Sequence, residues 1–128
     1  MKITVIAVGK VKETYLNDAI REYQKRLGAY CRLEIVEVAD EKTLEHASEA
    51  QERMILSREA KRILKHIKED ACIITLEIGG KQLSSEELAA KIEGLGVQGT
   101  GHLIFIIGGS VGLGKEVLDK SDFALSFS

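Results

Sequence analysis

Residues Ala71 to Gly80, ACIITLEIGG, decide how the rest of the chain is read. Eight nearly continuous apolar positions, Ala71 to Ile78, are too few for a typical helix and too uniformly apolar for a strand with one wet face. They suit a strand covered by helices on both sides, which is the signature of a parallel sheet. Gly79-Gly80 predicts its end. Working outward, Leu103 to Ile107 is a second such run, followed by the glycine-rich stretch Gly108 to Gly114. Lys2 to Val8 is a third, ending at Gly9. Arg32 to Val38 (RLEIVEV) mixes charged and branched residues as an edge strand does, and Phe123 to Phe127 reads as a last strand. Between them lie helical patterns. Tyr15, Leu16, Ala19, Ile20, Tyr23 and Leu27 recur at helical spacing up to Gly28, and Met54, Ile55, Ile63, Leu64 and Ile67 form the core face of a second helix. Ser84 and Glu87 make a capping box for a third helix reaching about Leu95, and a short fourth lies near Lys115 to Lys120. Alternating strands and helices predict an α/β fold, three-layered, with a mostly parallel sheet of about five strands.

Composition narrows the function. At 128 residues, with 45% hydrophobic and 30% charged side chains, the chain suits one domain spanning 1–128. Lys and Arg number 18 against 20 Asp and Glu, a formal charge of −2, so any contact with RNA must be a local patch. Such a patch is expected in residues 1 to 32, where seven basic residues face three acidic ones; residues 33 to 54 hold two against seven. The first helix, with Lys25 and Arg26, is therefore the expected anion-facing surface, although an ordinary solvated helix face has the same composition. No run approaches the ~20 apolar residues of a membrane span, and a cytoplasmic location is expected. Cys31 and Cys72 stand alone in apolar segments and read as core thiols. His46, His66 and His102 are scattered as surface or sheet-edge residues, and no metal-ligand spacing occurs. Proline is absent.

Ligands of open α/β sheets bind beyond the carboxyl ends of the strands. Three such ends carry candidate residues: Leu76 to Gly80, Gly108 to Gly112, and Leu125 to Ser128. Glycine at the first two permits close backbone approach to a ligand, although tight turns need it equally. Gly109 to Glu116 nearly matches a phosphate-binding loop, but Glu116 replaces the metal-coordinating hydroxyl and only 13 residues follow Lys115, so nucleotide hydrolysis is not expected. Ser84 and Ser85 read as helix-capping residues rather than nucleophiles.

In order and spacing, five segments resemble the RlmH family of SPOUT-class RNA methyltransferases. These are Ile3 to Lys10, Glu22-Tyr23-Gln24-Lys25-Arg26-Leu27, Thr75 to Ile78 with Gly80-Lys81, Ile107-Gly108-Gly109-Ser110 with Gly112-Leu113, and Leu125-Ser126-Phe127-Ser128. The resemblance implies a SPOUT (α/β-knot) fold and transfer of a methyl group from S-adenosylmethionine to N3 of a pseudouridine in 23S ribosomal RNA. It implies homodimers acting on the assembled ribosome, with no metal. Carried over position by position, the cofactor-binding residues are Leu76, Gly108, Phe127 and Ser128, and no catalytic residue is implied. The family continues past this point with a segment resembling K-M-T-F-P-H that forms the knot. The 128 residues alone, lacking it, are expected to be inactive. The alternative reading is a non-catalytic ribosome- or RNA-binding module.

Overall fold

A computed structural model of the chain describes residues 1–10, 16, 18–19, 21–22, 25, 32–42 and 45–126. Its five strands are β1 (Lys2–Val8), β2 (Arg32–Val38), β3 (Cys72–Gln82), β4 (His102–Ile107) and β5 (Phe123–Ser126). They form one sheet in the order β2-β1-β4-β3-β5, and every pairing is parallel. The described helices are α1 (Glu49–Leu64), α2 (Ser85–Val97) and the single turn α3 (Lys115–Leu118). The helix expected between Tyr15 and Leu27 falls largely outside the described residues, as do Arg26 and Cys31. Leu16 and Ala19 are described, helical and buried.

Alternation along the strands divides the core in two. Ile3, Val5, Leu103, Phe105, Ile74 and Leu76 point to one face, where Leu88, Ala89 and Ile92 of α2 cover them together with Leu16 and Ala19. Ile6, Val8, Ile104, Ile106 and Ile73 point to the other, against Ala60 and Ile63 of α1 and Val117 of α3. Burial on both faces is the reason β3 and β4 are almost wholly apolar, and it makes the domain three-layered. The edge strand β2 is mostly exposed, as its mixed sequence predicted; Leu33 and Ile35 are 41% and 50% exposed.

Both long helices start on a reciprocal capping box. The Ser84 hydroxyl accepts from the Glu87 N–H at 3.0 Å while the Glu87 carboxylate accepts from the Ser84 N–H at 2.9 Å. Hydrogen bonding to the Ser84 N–H first, and to its side chain second, holds the Glu87 carboxyl below the usual carboxylate range. Ser48 and Gln51 do the same for α1.

Three expectations are corrected. Met54 is 55% exposed, because the buried stripe of α1 runs through Ile55, Glu59, Ala60 and Ile63, one position round from it. The helix also stops at Leu64, leaving the half-buried Ile67 beyond its end. Finally, β3 does not stop at Gly79-Gly80. Leu76 and Lys81 both register with Leu125 of β5, so Glu77 to Gly80 leave the ladder as a four-residue excursion and β3 then resumes. Gly80 makes this possible, because a Cβ there would sit 2.7 to 2.8 Å from the Leu125 and Ala124 backbone.

Candidate functional site

Where β3 leaves the ladder and β4 ends, the sheet opens into a cavity of about 470 Å³, within the size range of small-molecule sites. One wall is Leu76 with the excursion as far as Gly79. The other is Ile107 and the loop through Gly108 to Leu113, with Leu118 of α3 behind it. The loop is a tight turn in which the Gly112 N–H donates to the Gly109 carbonyl at 3.1 Å. Gly112 has φ +84°, the left-handed region that favours glycine.

Of the four residues expected to hold the cofactor, Leu76 and Gly108 are brought together as opposite walls of this cavity. Phe127 and Ser128 lie outside the described residues. Gly108 also has a structural role that the sequence did not reveal, whatever it binds. A Cβ on it would fall on the Gly112 carbonyl oxygen and 2.7 Å from its carbon, so the loop can close only over glycine.

Among the described residues, the lining contains no basic side chain, and Glu77 is its one charged group. A phosphate would meet a carboxylate and no cation here, which removes the phosphate-loop reading of Gly109 to Glu116 on electrostatic grounds. Lys115 is exposed and does not line the cavity. The small apolar walls and single carboxylate instead suit a ligand carrying net positive charge and flat apolar parts, and S-adenosylmethionine, a sulfonium bearing an adenine, fits that description.

Glu77 is held in place from below. The fully buried Thr75 hydroxyl donates to Glu77 Oε2 at 2.6 Å and lies 2.7 Å from Ser121 Oγ, which in turn donates to the Phe123 carbonyl at 3.1 Å. Alternation explains the contact, since positions 75 and 77 share one side of β3. The beginning of β5 is tied to the same strand. The Ile73 N–H donates to the Asp122 carboxylate, and the Asp122 N–H donates to the Ile73 carbonyl, both at 2.8 Å.

A second acid lies behind the glycine loop. Glu59 of α1 is 4% exposed; its Oε2 accepts from the Glu41 N–H at 2.9 Å, while Oε1 has no partner among the described residues. A Cβ on Gly109 would stand 3.6 and 3.7 Å from the two oxygens, so the carboxyl group packs against the loop's outer side. Burial pushes its pKa up, and Asp40 and Glu41 add to the shift against the Glu41 N–H and Arg62. Arg62 secures the adjacent segment, donating to the Ala39 carbonyl at 2.9 Å and to Glu41 Oε1 at 3.0 Å.

The other candidate groups lie elsewhere. His46 and His66 are exposed. His102 is not at a sheet edge: it begins the interior strand β4, at the end opposite the cavity, 2.8 Å from Thr4 Oγ1. Burial pushes its pKa down, with Lys2 adding to the effect. Cys72 is half-buried at the start of β3, and burial pushes its thiol pKa up, which makes it a poor nucleophile. Among the described residues no cluster of three His, Cys, Asp or Glu could hold a metal, and no helix is long and apolar enough to cross a membrane.

Glu77, Thr75 and Glu59 were missed from sequence alone. A hydroxyl and an acid two apart inside an otherwise apolar strand, T-L-E, were the available signal for the first pair.

Comparison with known proteins agrees with this arrangement. The family described as "predicted SPOUT methyltransferase" matches residues 1–128. A protein of Bifidobacterium adolescentis named ribosomal RNA large subunit methyltransferase H is 63% identical over 128 residues, all of this chain and 80% of the relative. Proteins of the same name from Clostridium beijerinckii and Acetivibrio thermocellus are 53% and 48% identical, with the same coverage. A five-stranded parallel α/β sheet, a glycine-walled cavity at its carboxyl end and a match along the whole chain agree, and the chain belongs to the SPOUT methyltransferase family.

Proposed function

We propose that residues 1–128 are the larger, C-terminally incomplete part of a single methyltransferase domain which, completed by the family's knot segment, uses S-adenosylmethionine to methylate N3 of a pseudouridine in 23S ribosomal RNA, as a cytoplasmic homodimer acting on the assembled ribosome. The observation that carries this reading is the cavity itself. It joins Leu76 to Gly108 at the carboxyl end of a parallel sheet, with apolar walls, one carboxylate and no basic group among its described lining. The relatives' names support the ribosomal RNA substrate. Leu76 and Gly108, with Phe127 and Ser128 from the end of the chain, are the residues that would hold the cofactor. When bound, it supplies a methyl group made electrophilic by the sulfonium. The chain's own contribution would be to fix that group between the excursion of β3 and the loop after β4, which lowers the entropic part of the barrier. Arg21 and Lys25, both exposed, belong to the surface that would meet RNA.

The test is tritiated methyl transfer to ribosomes that lack the modification, by residues 1–128 and by a version extended with the family's carboxyl-terminal segment, followed by digestion of the RNA. Label at pseudouridine N3 of the large subunit from the extended version and none from residues 1–128, with calorimetric binding of S-adenosylmethionine by the extended version, is the expected result. Ribosome binding without transfer would favour the non-catalytic module, and absence of cofactor binding would overturn the reading.

A further inference from the structure

We propose that Glu77 is the charge-reading residue of the cavity: its carboxylate favours the cationic methyl donor over the uncharged product that remains after transfer. The proposal rests on the reading of the cavity as an S-adenosylmethionine site and assigns it a residue that sets ligand preference. Three features of the structure carry it. Among the described lining residues Glu77 alone is charged, so no neighbouring cation in the cavity cancels its field. The carboxylate is also anchored, because the Thr75 hydroxyl donates to Oε2 at 2.6 Å and Thr75 is itself fully buried and lies 2.7 Å from Ser121 Oγ. An anchored charge acts on a ligand without first paying the entropy of ordering a free side chain. The flanking apolar and glycine surface limits the water available to screen it.

S-adenosylmethionine carries a sulfonium, an ammonium and a carboxylate, for a net charge of +1. Transfer of the methyl group leaves the sulfur with both electrons of the broken bond, so S-adenosylhomocysteine has the same skeleton and no net charge. A single fixed carboxylate distinguishes these two ligands by charge, whereas shape separates them by one methyl group. Across several ångströms in a partly wet site, one unit charge is worth about tenfold in affinity. The same preference weakens product binding relative to substrate and hastens exchange after each turnover.

The experiment is calorimetric titration of the full-length protein with S-adenosylmethionine, S-adenosylhomocysteine and sinefungin, an analogue that carries an amine in place of the sulfonium. Parent, Glu77→Gln, Glu77→Asp and Thr75→Val proteins are compared. Gln preserves the hydrogen bond from Thr75 and removes only the charge, while Asp keeps the charge. The expected result is that Glu77→Gln weakens the two cationic ligands about tenfold and changes S-adenosylhomocysteine less than twofold. Glu77→Asp should retain the parent's preference, and Thr75→Val should lose part of it. Equal loss for charged and uncharged ligands in Glu77→Gln would overturn this inference alone. A parent protein that binds none of the three would overturn the site reading and this inference with it.

Discussion

Gly108 and Gly112 lie so close across the cavity loop that a Cβ on Gly108 would stand 2.7 Å from the Gly112 carbonyl carbon. The obstacle is backbone, which cannot rotate aside as a side chain could. Gly108→Ala should therefore displace the loop, lower stability by about 1–3 kcal/mol and weaken cofactor binding at least about tenfold. Calorimetry and denaturant unfolding check both, and a variant unchanged in both would show that the loop has room to spare. Valine at this position would likewise act first on the loop itself and only then on a ligand.

Gly79 and Gly80 should behave oppositely although they are adjacent. Nothing lies within 4 Å of a Cβ on Gly79, whereas one on Gly80 would strike the β5 backbone. Gly79→Ala should change stability by no more than about 0.5 kcal/mol. Gly80→Ala should cost about 1–3 kcal/mol and speed hydrogen exchange at the amides of β5. Equal effects from the two variants would contradict the observed register.

Glu59 gives stability a pH dependence of defined sign. The folded protein holds this proton to higher pH than the unfolded chain, so ionising it costs folding free energy. Its contribution is full below the ordinary carboxyl value of 4.5 and is lost as pH rises through the raised folded value. Glu59→Gln should flatten that window and be at least as stable as the parent at pH 7. Glu59→Ala should lose about 1–3 kcal/mol by leaving the Glu41 N–H unpaired. Unfolding midpoints across pH 4 to 8 decide, and an unaltered slope in Glu59→Gln would assign the dependence to another group.

The surface proposed to meet RNA should show a salt signature. Arg21 and Lys25 are exposed, and the Arg21–Asp18 ion pair, at 4.0 Å between two well-exposed side chains, contributes little. Reversing both charges should weaken ribosome association, reduce its logarithmic salt slope by about 2 and leave cofactor affinity unchanged. Identical salt titrations for variant and parent would return these residues to ordinary solvated surface.

What was legible in the sequence follows from which forces are local. The runs in β1, β3 and β4 identified themselves because burial on both faces demands apolar residues at every position, and the Ser84–Glu87 box marked a helix start because its partners are three residues apart. Met54 misled because adjacent apolar residues on a helix leave its orientation open by one position, which only the facing sheet resolves. The continuation of β3 beyond Gly80 was hidden because it depends on β5, more than forty residues later. For the site, Leu76 and Gly108 were found as strand ends, but Gly108's close approach to Gly112 could not be. Glu59 was hidden in the same way, since its burial depends on the segment at Glu41 and the loop at Gly109, both remote in sequence.

The register of β1 against β4 bears on the order in which the protein acquires its shape during synthesis. Lys2 pairs with His102, one hundred positions later, so β1 cannot gain its interior neighbour until a hundred further residues have been made. At ~5–20 residues per second, the wait is roughly 5–20 s. During that time β1 has only the edge strand β2 available to it, and the apolar residues of β3 await β4. The nascent chain is therefore exposed to aggregation for seconds, and the cavity, whose walls come from β3 and the loop after β4, cannot take form before that wait is over.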